Sequence, residues 1–207
     1  MYLRRDMETL YGCDQDWYQI EWRRRAGCGP VAATNILFYI MKKYDIKEIP
    51  YQNDSVETAL VAMNDVFLYV RPKRRGLHTV RKFVKGMYKF GLKYGLSFRH
   101  RYILVPPRTE LRPGLDDVID FVEEAFKYDV PVVFLNLDAG AVEDQLQSWH
   151  WVTVVGMSVN GPSILLRYFD QSKCIEVDIG KWLSTTSKGG GFAYFCKPAL
   201  KRNRVMS

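Results

Sequence analysis

Apolar residues recur every three to four positions in the first part of the chain and every two positions in the last part. The first spacing is typical of helices that bury one face, and the second is typical of strands. The helical spacing predicts helices over Val31–Tyr44, Ser55–Val70, Gly76–Tyr94 and Gly114–Tyr128, with a further short helix at Gly180–Leu183. The alternating or short apolar runs predict strands over Val130–Leu137, Trp149–Val159, Ser163–Phe169, Cys174–Asp178 and Phe192–Cys196.

Turn and cap residues support these boundaries. Asn160-Gly161 is a strong signal for a tight hairpin between two of the strands, and Asp170–Lys173 predicts a second short connection. Either Asp54 or Ser55 suits the N-cap of the second helix, and Asp178 suits the N-cap of the short one. Helices followed by an antiparallel sheet predict an α+β fold. With no linker in between, we expect a single domain over residues 1–207, helical to about residue 128 and sheet over about 129–200.

Length and composition exclude several classes of protein. The chain has 207 residues, of which 47% are hydrophobic, so it can form a core and is not expected to be disordered. Every long apolar run is interrupted within about ten residues, which is too short for a membrane span. The first residues lack the apolar core of a signal peptide, and we expect a cytoplasmic protein. Four dispersed cysteines and three distant histidines predict neither a disulfide scaffold nor a metal site.

The formal net charge of +7 permits an acidic partner. Basic residues cluster at Arg23–Arg25, at Arg71, Lys73, Arg74 and Arg75, and at Arg99, His100 and Arg101. These clusters flank different predicted elements and no nucleic-acid-binding motif accompanies them, so nucleic acid is not the expected partner. The charge alone indicates no particular oligomeric state.

Cys28 has the placement of an activated thiol. It lies in Gly27-Cys28-Gly29-Pro30, directly before the first predicted helix, and Pro30 suits the first position of that helix. Backbone N–H groups and the dipole at a helix N-terminus stabilise a thiolate and can also bind an oxyanion. The two glycines beside the thiol are expected to leave room for a substrate carbonyl. A packed structural cysteine is the alternative.

His150 and Asp170 form the second part of the candidate site. His150 starts an apolar strand, where its ring needs a polar partner, and Asp170 ends the next strand. The hairpin at Asn160-Gly161 lies midway between them, so antiparallel pairing predicts that the two side chains are neighbours across the strands. A nucleophile, a base and a carboxylate that orients the base are the parts of a catalytic triad.

These motifs resemble those of papain-fold cysteine peptidases. The run Ala26–Leu37 resembles their nucleophile helix and is most similar to the branch of bacteriocin-processing (double-glycine leader) peptidases. His150–Met157 resembles the histidine strand of that branch, Asp170 matches its triad acid, and Gly189–Phe192 resembles its glycine-rich entry to a strand. The resemblance extends from about residue 12 to 196. It implies a papain-like fold in which the nucleophile helix is central and packs on the antiparallel sheet.

The sequence departs from this family in two places. The oxyanion glutamine usually stands six residues before the nucleophile, where this chain has Trp22; Gln15 and Gln19 are the available alternatives, and both stay open. Asp170 is followed by Gln171-Ser172, which the family does not use.

The resemblance implies a thiol hydrolase that cleaves peptide or small amide bonds through Cys28, His150 and Asp170. Such an enzyme needs neither a metal nor an organic cofactor. An acyl- or amidotransferase that uses the same thioester is one alternative, and a binding module without catalysis is another.

Overall fold

A computed structural model of the chain describes residues 2–5, 8–74 and 76–200. Arg75, in one of the basic clusters, lies outside the described residues. The helices are α1 Glu21–Ala26, α2 Cys28–Tyr44, α3 Val56–Phe67, α4 Val80–Lys93, α5 Leu115–Lys127 and α6 Ile179–Thr185. The strands are β1 Tyr2–Arg5, β2 Glu8–Tyr11, β3 Leu96–Val105, β4 Val132–Asn136, β5 His150–Asn160, β6 Ser163–Asp170, β7 Lys173–Asp178 and β8 Gly190–Leu200.

The predicted helices are confirmed, and side chains cap them as expected. Ser55, rather than Asp54, accepts a hydrogen bond from the Thr58 N–H at the start of α3. Asp178 accepts one from the Lys181 N–H at the start of α6, at 2.9 Å. The start of α2 differs from the prediction, because the helix begins at Cys28 and Pro30 is its third residue. Pro30 is tolerated there, since first-turn N–H groups have no intrahelical acceptor.

The main sheet has six antiparallel strands in the order β3-β8-β4-β5-β6-β7. All five predicted strands belong to it, which confirms the α+β class and the antiparallel arrangement. The boundary between a helical and a sheet part is wrong, because β3 joins the sheet from within the first 128 residues. Its apolar ends, Leu96 and Val105, flank a centre of exposed side chains over residues 99–102, and this hides the alternation of a strand.

Helices cover both faces of the sheet, because alternate residues of each strand point to opposite sides. On one face, sheet residues such as Leu135 and Trp151 pack against α2, α3 and α4. On the other face, residues such as Phe134 and Val152 pack against α5 and α6. The four long helices therefore do not form one layer. The most completely buried helix is α2, in which every residue from Gly29 to Phe38 is buried.

Gly189 and Gly190 lead into β8 as the sequence predicts. The packing of the backbone around them leaves no room for a Cβ atom at either position. A Cβ atom on Gly190 would lie 1.9 Å from the Leu135 carbonyl oxygen, and one on Gly189 would lie 2.0 Å from that of Val105. Gly190 is paired with β3 on one side and with β4 on the other. The glycines thus allow three backbones to approach closely.

None of the helices in the described ranges is both long and apolar enough to cross a lipid bilayer.

Candidate active site

Cys28 is the first residue of α2 and is half-buried. The carbonyl of Gly27, the N-cap, accepts the first helical hydrogen bond from the Val31 N–H at 2.9 Å. The α1 helix ends at Ala26, so two helices meet at Gly27 and hold the thiol at their junction. Because Gly29–Phe38 of α2 are all buried, the position of the Cys28 thiol is fixed by the core.

His150 and Asp170 are hydrogen-bonded, as the hairpin predicts. The distance from His150 Nε2 to Asp170 Oδ1 is 2.8 Å, and the side chains are only 6% and 14% exposed. The two residues are not directly opposite, since the register pairs Thr153 with Phe169 and shifts at an irregularity between Val154 and Gly156. His150 and Asp170 are therefore diagonal neighbours, which long side chains can bridge.

The other side of the His150 ring faces the thiol. Burial lowers the pKa of His150, but hydrogen bonds to Asp170 and to the Cys28 thiol, with their charges, outweigh burial and raise the pKa to about 10. The bond from Nε2 to Asp170 leaves Nδ1 for Cys28. The three side chains predicted from the sequence are thus connected in the order thiol, imidazole, carboxylate.

Two residues that sequence reasoning missed hold this arrangement in place. Buried Asn35, on α2, accepts a hydrogen bond from the Cys13 N–H at 2.8 Å and donates one to Thr153 Oγ at 3.2 Å, which ties the nucleophile helix to the histidine strand. Trp151 donates its indole N–H to the Leu77 carbonyl at 2.5 Å. The sequence could have indicated Asn35, because its amide side chain lies within an otherwise apolar helical run. It could not have indicated Trp151, which resembles any other apolar strand residue.

Only one of the two candidate oxyanion glutamines reaches the site. Gln15 lies on a short 3₁₀ turn and lines a small pocket together with Cys28, Asn35 and Asp170. Gln19 is exposed, and its backbone carbonyl accepts a hydrogen bond from Arg24. The structure therefore brings Gln15, and not Gln19, to the thiol.

The space beside the thiol is filled by protein rather than left for substrate, contrary to the expectation for Gly27 and Gly29. A Cβ atom on Gly27 would lie 2.3 Å from the Arg23 carbonyl oxygen, and one on Gly29 would lie 2.9 Å from Leu77 Cδ2. The two glycines allow α1 and Leu77 to pack tightly around the start of α2.

Room for a substrate lies in a groove of about 530 Å³ on the other side of Cys28. Two arginines stand on its margin, and one of them, Arg25, pairs with Glu21 at 2.6 Å. Its apolar walls are Trp22, Ala26, Leu77, Leu135, Leu137 and Trp149. Trp149 directly precedes His150, has a left-handed backbone with φ of 58°, and carries the Lys188 ammonium over its ring at 5.3 Å. A chain or side chain of apolar character fits this groove.

The remaining cysteines and histidines do not contribute to the site. Burial raises the pKa of the thiols of Cys13, Cys174 and Cys196, which opposes thiolate formation. His100 lies on β3 with its ring nearly parallel to that of Tyr102. In the described ranges, no three or more His, Cys, Asp or Glu side chains are grouped so that they could hold a metal ion.

The turn that follows Asp170 is strained. Gln171 and Ser172 both have left-handed backbones, with φ of 47° and 60°, in a two-residue loop closed by the pair of Asp170 and Lys173. A two-residue loop in which both residues have positive φ favours the sequence Asn-Gly. The Ser172 carbonyl accepts a hydrogen bond from the Tyr11 N–H at 3.1 Å, which anchors the loop to β2.

Replacing this loop with Asn-Gly is expected to stabilise the protein. Gln171→Asn with Ser172→Gly removes strain of about 1 kcal/mol at each position, and a rise in Tm of roughly 4–8 °C follows for a chain of this length. The bond from Tyr11 survives because it involves only backbone atoms. Gly161→Ala is the opposite control, since Gly161 also has a positive φ and open space around it, and should lower Tm. An unchanged or lower Tm in the double variant would contradict the strain.

Stability is also expected to depend on pH through His150. Its pKa of about 10 exceeds the ordinary 6.5, so the stability gained from the protonated ring is complete below pH 6.5 and is lost as the pH rises through about 10. Asp170→Asn removes the carboxylate that raises this pKa. At pH 7 the original protein should therefore have a larger free energy of unfolding than the variant. This excess should shrink by about 1 kcal/mol per pH unit from pH 7 to 9.

Urea unfolding at pH 7, 8 and 9 under reducing conditions measures this excess. Asp178→Asn, which weakens the cap of α6, is the control and should change stability by the same amount at each pH. A difference for Asp170→Asn that stays constant or grows with pH would show that His150 is not protonated in the folded protein.

No protein-family model matches the chain, and no curated protein matches its sequence at a significant level. The structure itself has a mixed α+β fold with a six-stranded antiparallel sheet, and Cys28, His150 and Asp170 are connected where the sheet meets α2.

Proposed function

We propose that the protein is a papain-like cysteine peptidase, a thiol hydrolase that cleaves peptide or small amide bonds. One observation carries the proposal: His150 Nε2 is held 2.8 Å from Asp170, and the Cys28 thiol, at the start of a buried helix, lies close enough to the same ring to raise its pKa. A structural cysteine needs no such partners. This order of groups is the arrangement that activates a thiol for acyl transfer.

Each group has a defined task in the proposed reaction. The Cys28 thiolate attacks the substrate carbonyl carbon and forms a C–S bond, while the carbonyl oxygen takes up the negative charge. The Cys28 backbone N–H and the Gln15 side-chain amide are the donors proposed for this oxyanion. His150 then gives its proton to the leaving amine, the C–N bond breaks, and a thioester remains on Cys28.

Water completes the cycle. His150, now neutral, removes a proton from a water molecule, the resulting hydroxide attacks the thioester, and the acid product leaves with regeneration of the thiolate and imidazolium. Asp170 fixes the ring orientation and stabilises its charged form throughout. All steps balance with water as the only co-reactant, so the proposal includes no metal or organic cofactor.

The surroundings of the thiol support a peptide substrate. The apolar groove of about 530 Å³ adjoins Cys28 and is walled by aromatic and aliphatic side chains, which fits a peptide segment with an apolar residue next to the cleaved bond. The nucleophile must stay reduced, and all four cysteines are free, which is compatible with the cytoplasmic location proposed from the sequence.

A peptide library made by digesting a whole proteome tests the proposal and requires no assumption about the substrate. Incubation with the protein should create new peptide N-termini with apolar residues close to the cleavage site, and Cys28→Ser should create none. Added hydroxylamine separates hydrolysis from transfer, because a transferase would convert most acyl groups into hydroxamates. New termini that persist in Cys28→Ser, or none with the unmodified protein, would contradict the peptidase.

A further inference from the structure

Positive charge is concentrated in one stretch of the chain. Residues 66–109 contain twelve Lys or Arg and no Asp or Glu, whereas the rest of the chain has 18 Lys or Arg and all 23 acidic residues. The net charge of +7 is therefore the sum of a strongly basic segment and an acidic remainder. This segment includes all of α4 and β3.

The fold turns this segment into a single surface. The α4 helix packs against β3, which is an edge strand whose partner in the described part of the chain is β8. The outer side of α4 carries the exposed residues Arg81, Lys82, Lys85 and Lys89. We call the surface formed by α4 and the exposed residues of β3 the α4–β3 face. Residues of α4 and residues of β3, which are separate along the sequence, are neighbours on this face.

The cations on the helix side of this face are not neutralised. Lys93, at the end of α4, pairs with Asp65, and Arg101, on the opposite side of β3, pairs with Glu124. Among the described residues, no carboxylate lies within salt-bridge distance of Arg81, Lys82 or Lys85. Uncompensated cations at consecutive turns of a helix create a positive potential that attracts a polyanion.

Aromatic rings lie beside these cations. A shallow groove of about 420 Å³ runs between α4 and β3 and is lined by Arg81, Val84, Lys85, Tyr88, His100 and Tyr102. Tyr88 and Tyr102 are each 39% exposed, so both rings are accessible to a ligand in this groove. The ring planes of His100 and Tyr102 are within 11° of parallel, with centroids 6.4 Å apart, so both present flat faces in the same orientation.

We propose that the α4–β3 face binds single-stranded nucleic acid, with phosphates on Arg81 and Lys85 and bases against Tyr88, His100 and Tyr102. A cationic track combined with exposed ring faces is the recognition mode of sequence-tolerant single-strand binding. An acidic polypeptide would use the cations but leave the rings without stacking partners. A membrane surface would need protruding aliphatic side chains, and the groove has only Val84, which is buried. The inference is independent of the proposed peptidase.

Fluorescence anisotropy with fluorescein-labelled dT20 and U20 tests this binding. We expect micromolar binding in 50 mM salt and about sevenfold or more weaker binding in 200 mM salt, because phosphate contacts release counterions. Arg81→Ser with Lys85→Ser should reduce the slope of log Kd against log salt by about 1.4, that is, about 0.7 for each lost phosphate contact. Tyr88→Ala with Tyr102→Ala should weaken binding at least about 30-fold and leave that slope unchanged.

Lys42→Ser with Lys47→Ser is the matched control. It removes the same charge from exposed positions outside the α4–β3 face and should change Kd less than twofold, and circular dichroism checks that every variant is folded. Absence of oligonucleotide binding in 50 mM salt, or equal losses in the control and the α4 variant, would overturn the proposal. Binding of polyglutamate or phosphatidylserine vesicles without binding of either oligonucleotide would also overturn it, in favour of an acidic protein or a membrane.

Discussion

His150→Gln is expected to slow the alkylation of Cys28 by iodoacetamide about 30-fold at pH 6. Glutamine keeps a donor for Asp170 but cannot carry the proton that stabilises a neighbouring thiolate. In proteins, a protonated histidine beside a thiol increases the thiolate fraction at mildly acidic pH by about one to several powers of ten. Such thiolates are intrinsically weaker nucleophiles, which offsets part of the gain and leaves a change of about 30-fold.

The same molecule contains the reference thiol for this experiment. Cys174 is exposed, and burial raises the pKa of its thiol, so it should react slowly at pH 6 and about tenfold faster with each added pH unit. Mass spectrometry of the alkylated peptides reports both thiols in one sample. Cys28 should react well ahead of Cys174 at pH 6 in the unmodified protein.

His100→Gln is the matched control, since it makes the same substitution at a histidine on β3 that takes no part in the site. It should leave the rate at Cys28 unchanged. If Cys28 reacts no faster than Cys174 in the unmodified protein, or if His150→Gln leaves its rate intact, the thiol is not activated and the peptidase proposal loses its main support.

The three triad residues could be predicted from sequence because each is marked by a local signal. Cys28 stands at a glycine-flanked helix start, while His150 and Asp170 are the two ends of one hairpin. Local chain geometry sets these positions, so long-range packing does not enter the prediction. The diagonal offset of His150 and Asp170 was not predicted. The register at the turn would place Asp170 opposite Thr153, and the irregularity near Gly156 shifts the pairing by one residue, so that His150 and Asp170 lie two residues apart on one face of the sheet. No turn residue indicates this shift.

Features set by distant contacts could not be predicted from the sequence. The choice of Gln15 over Gln19 depends on how the chain before α1 folds back over α2. The position of β3 depends on its pairing with β8, almost 100 residues later. That pairing also creates the α4–β3 face, whose charges appear as separate clusters along the chain. Sequence reasoning therefore set nucleic acid aside, whereas the assembled surface favours it.

Gly190→Ala is expected to destabilise the fold by about 4 kcal/mol or more, a large part of the roughly 5–15 kcal/mol that stabilises a typical domain. The added Cβ would lie 1.9 Å from the Leu135 carbonyl oxygen, well inside van der Waals contact. A flexible side chain could move aside, but this atom belongs to the backbone of β4. Gly190 is held between β3 and β4, so relief of the overlap requires one of the ladders to open.

The damage should extend to His150 and Cys28 through one shared neighbour. Asn136 pairs with Gly190 on one side and with His150 on the other, and its side chain accepts a hydrogen bond from the Trp182 indole at 2.8 Å. A shift of β4 away from Gly190 therefore displaces the start of the histidine strand. Any folded Gly190→Ala protein should lose the fast alkylation of Cys28 as well as stability.

Gly156→Ala provides the comparison, because a Cβ there would meet Arg167 at an ordinary 3.5 Å and Gly156 is also in the sheet. Soluble yield and urea unfolding of the two variants separate the effect of overlap from that of adding a methyl group to any strand glycine. Equal stability of the two variants would mean that β4 and β8 can move apart at little cost. The glycine-rich entry to β8 would then be a flexible margin of the active site rather than the fixed support that holds His150 against Cys28.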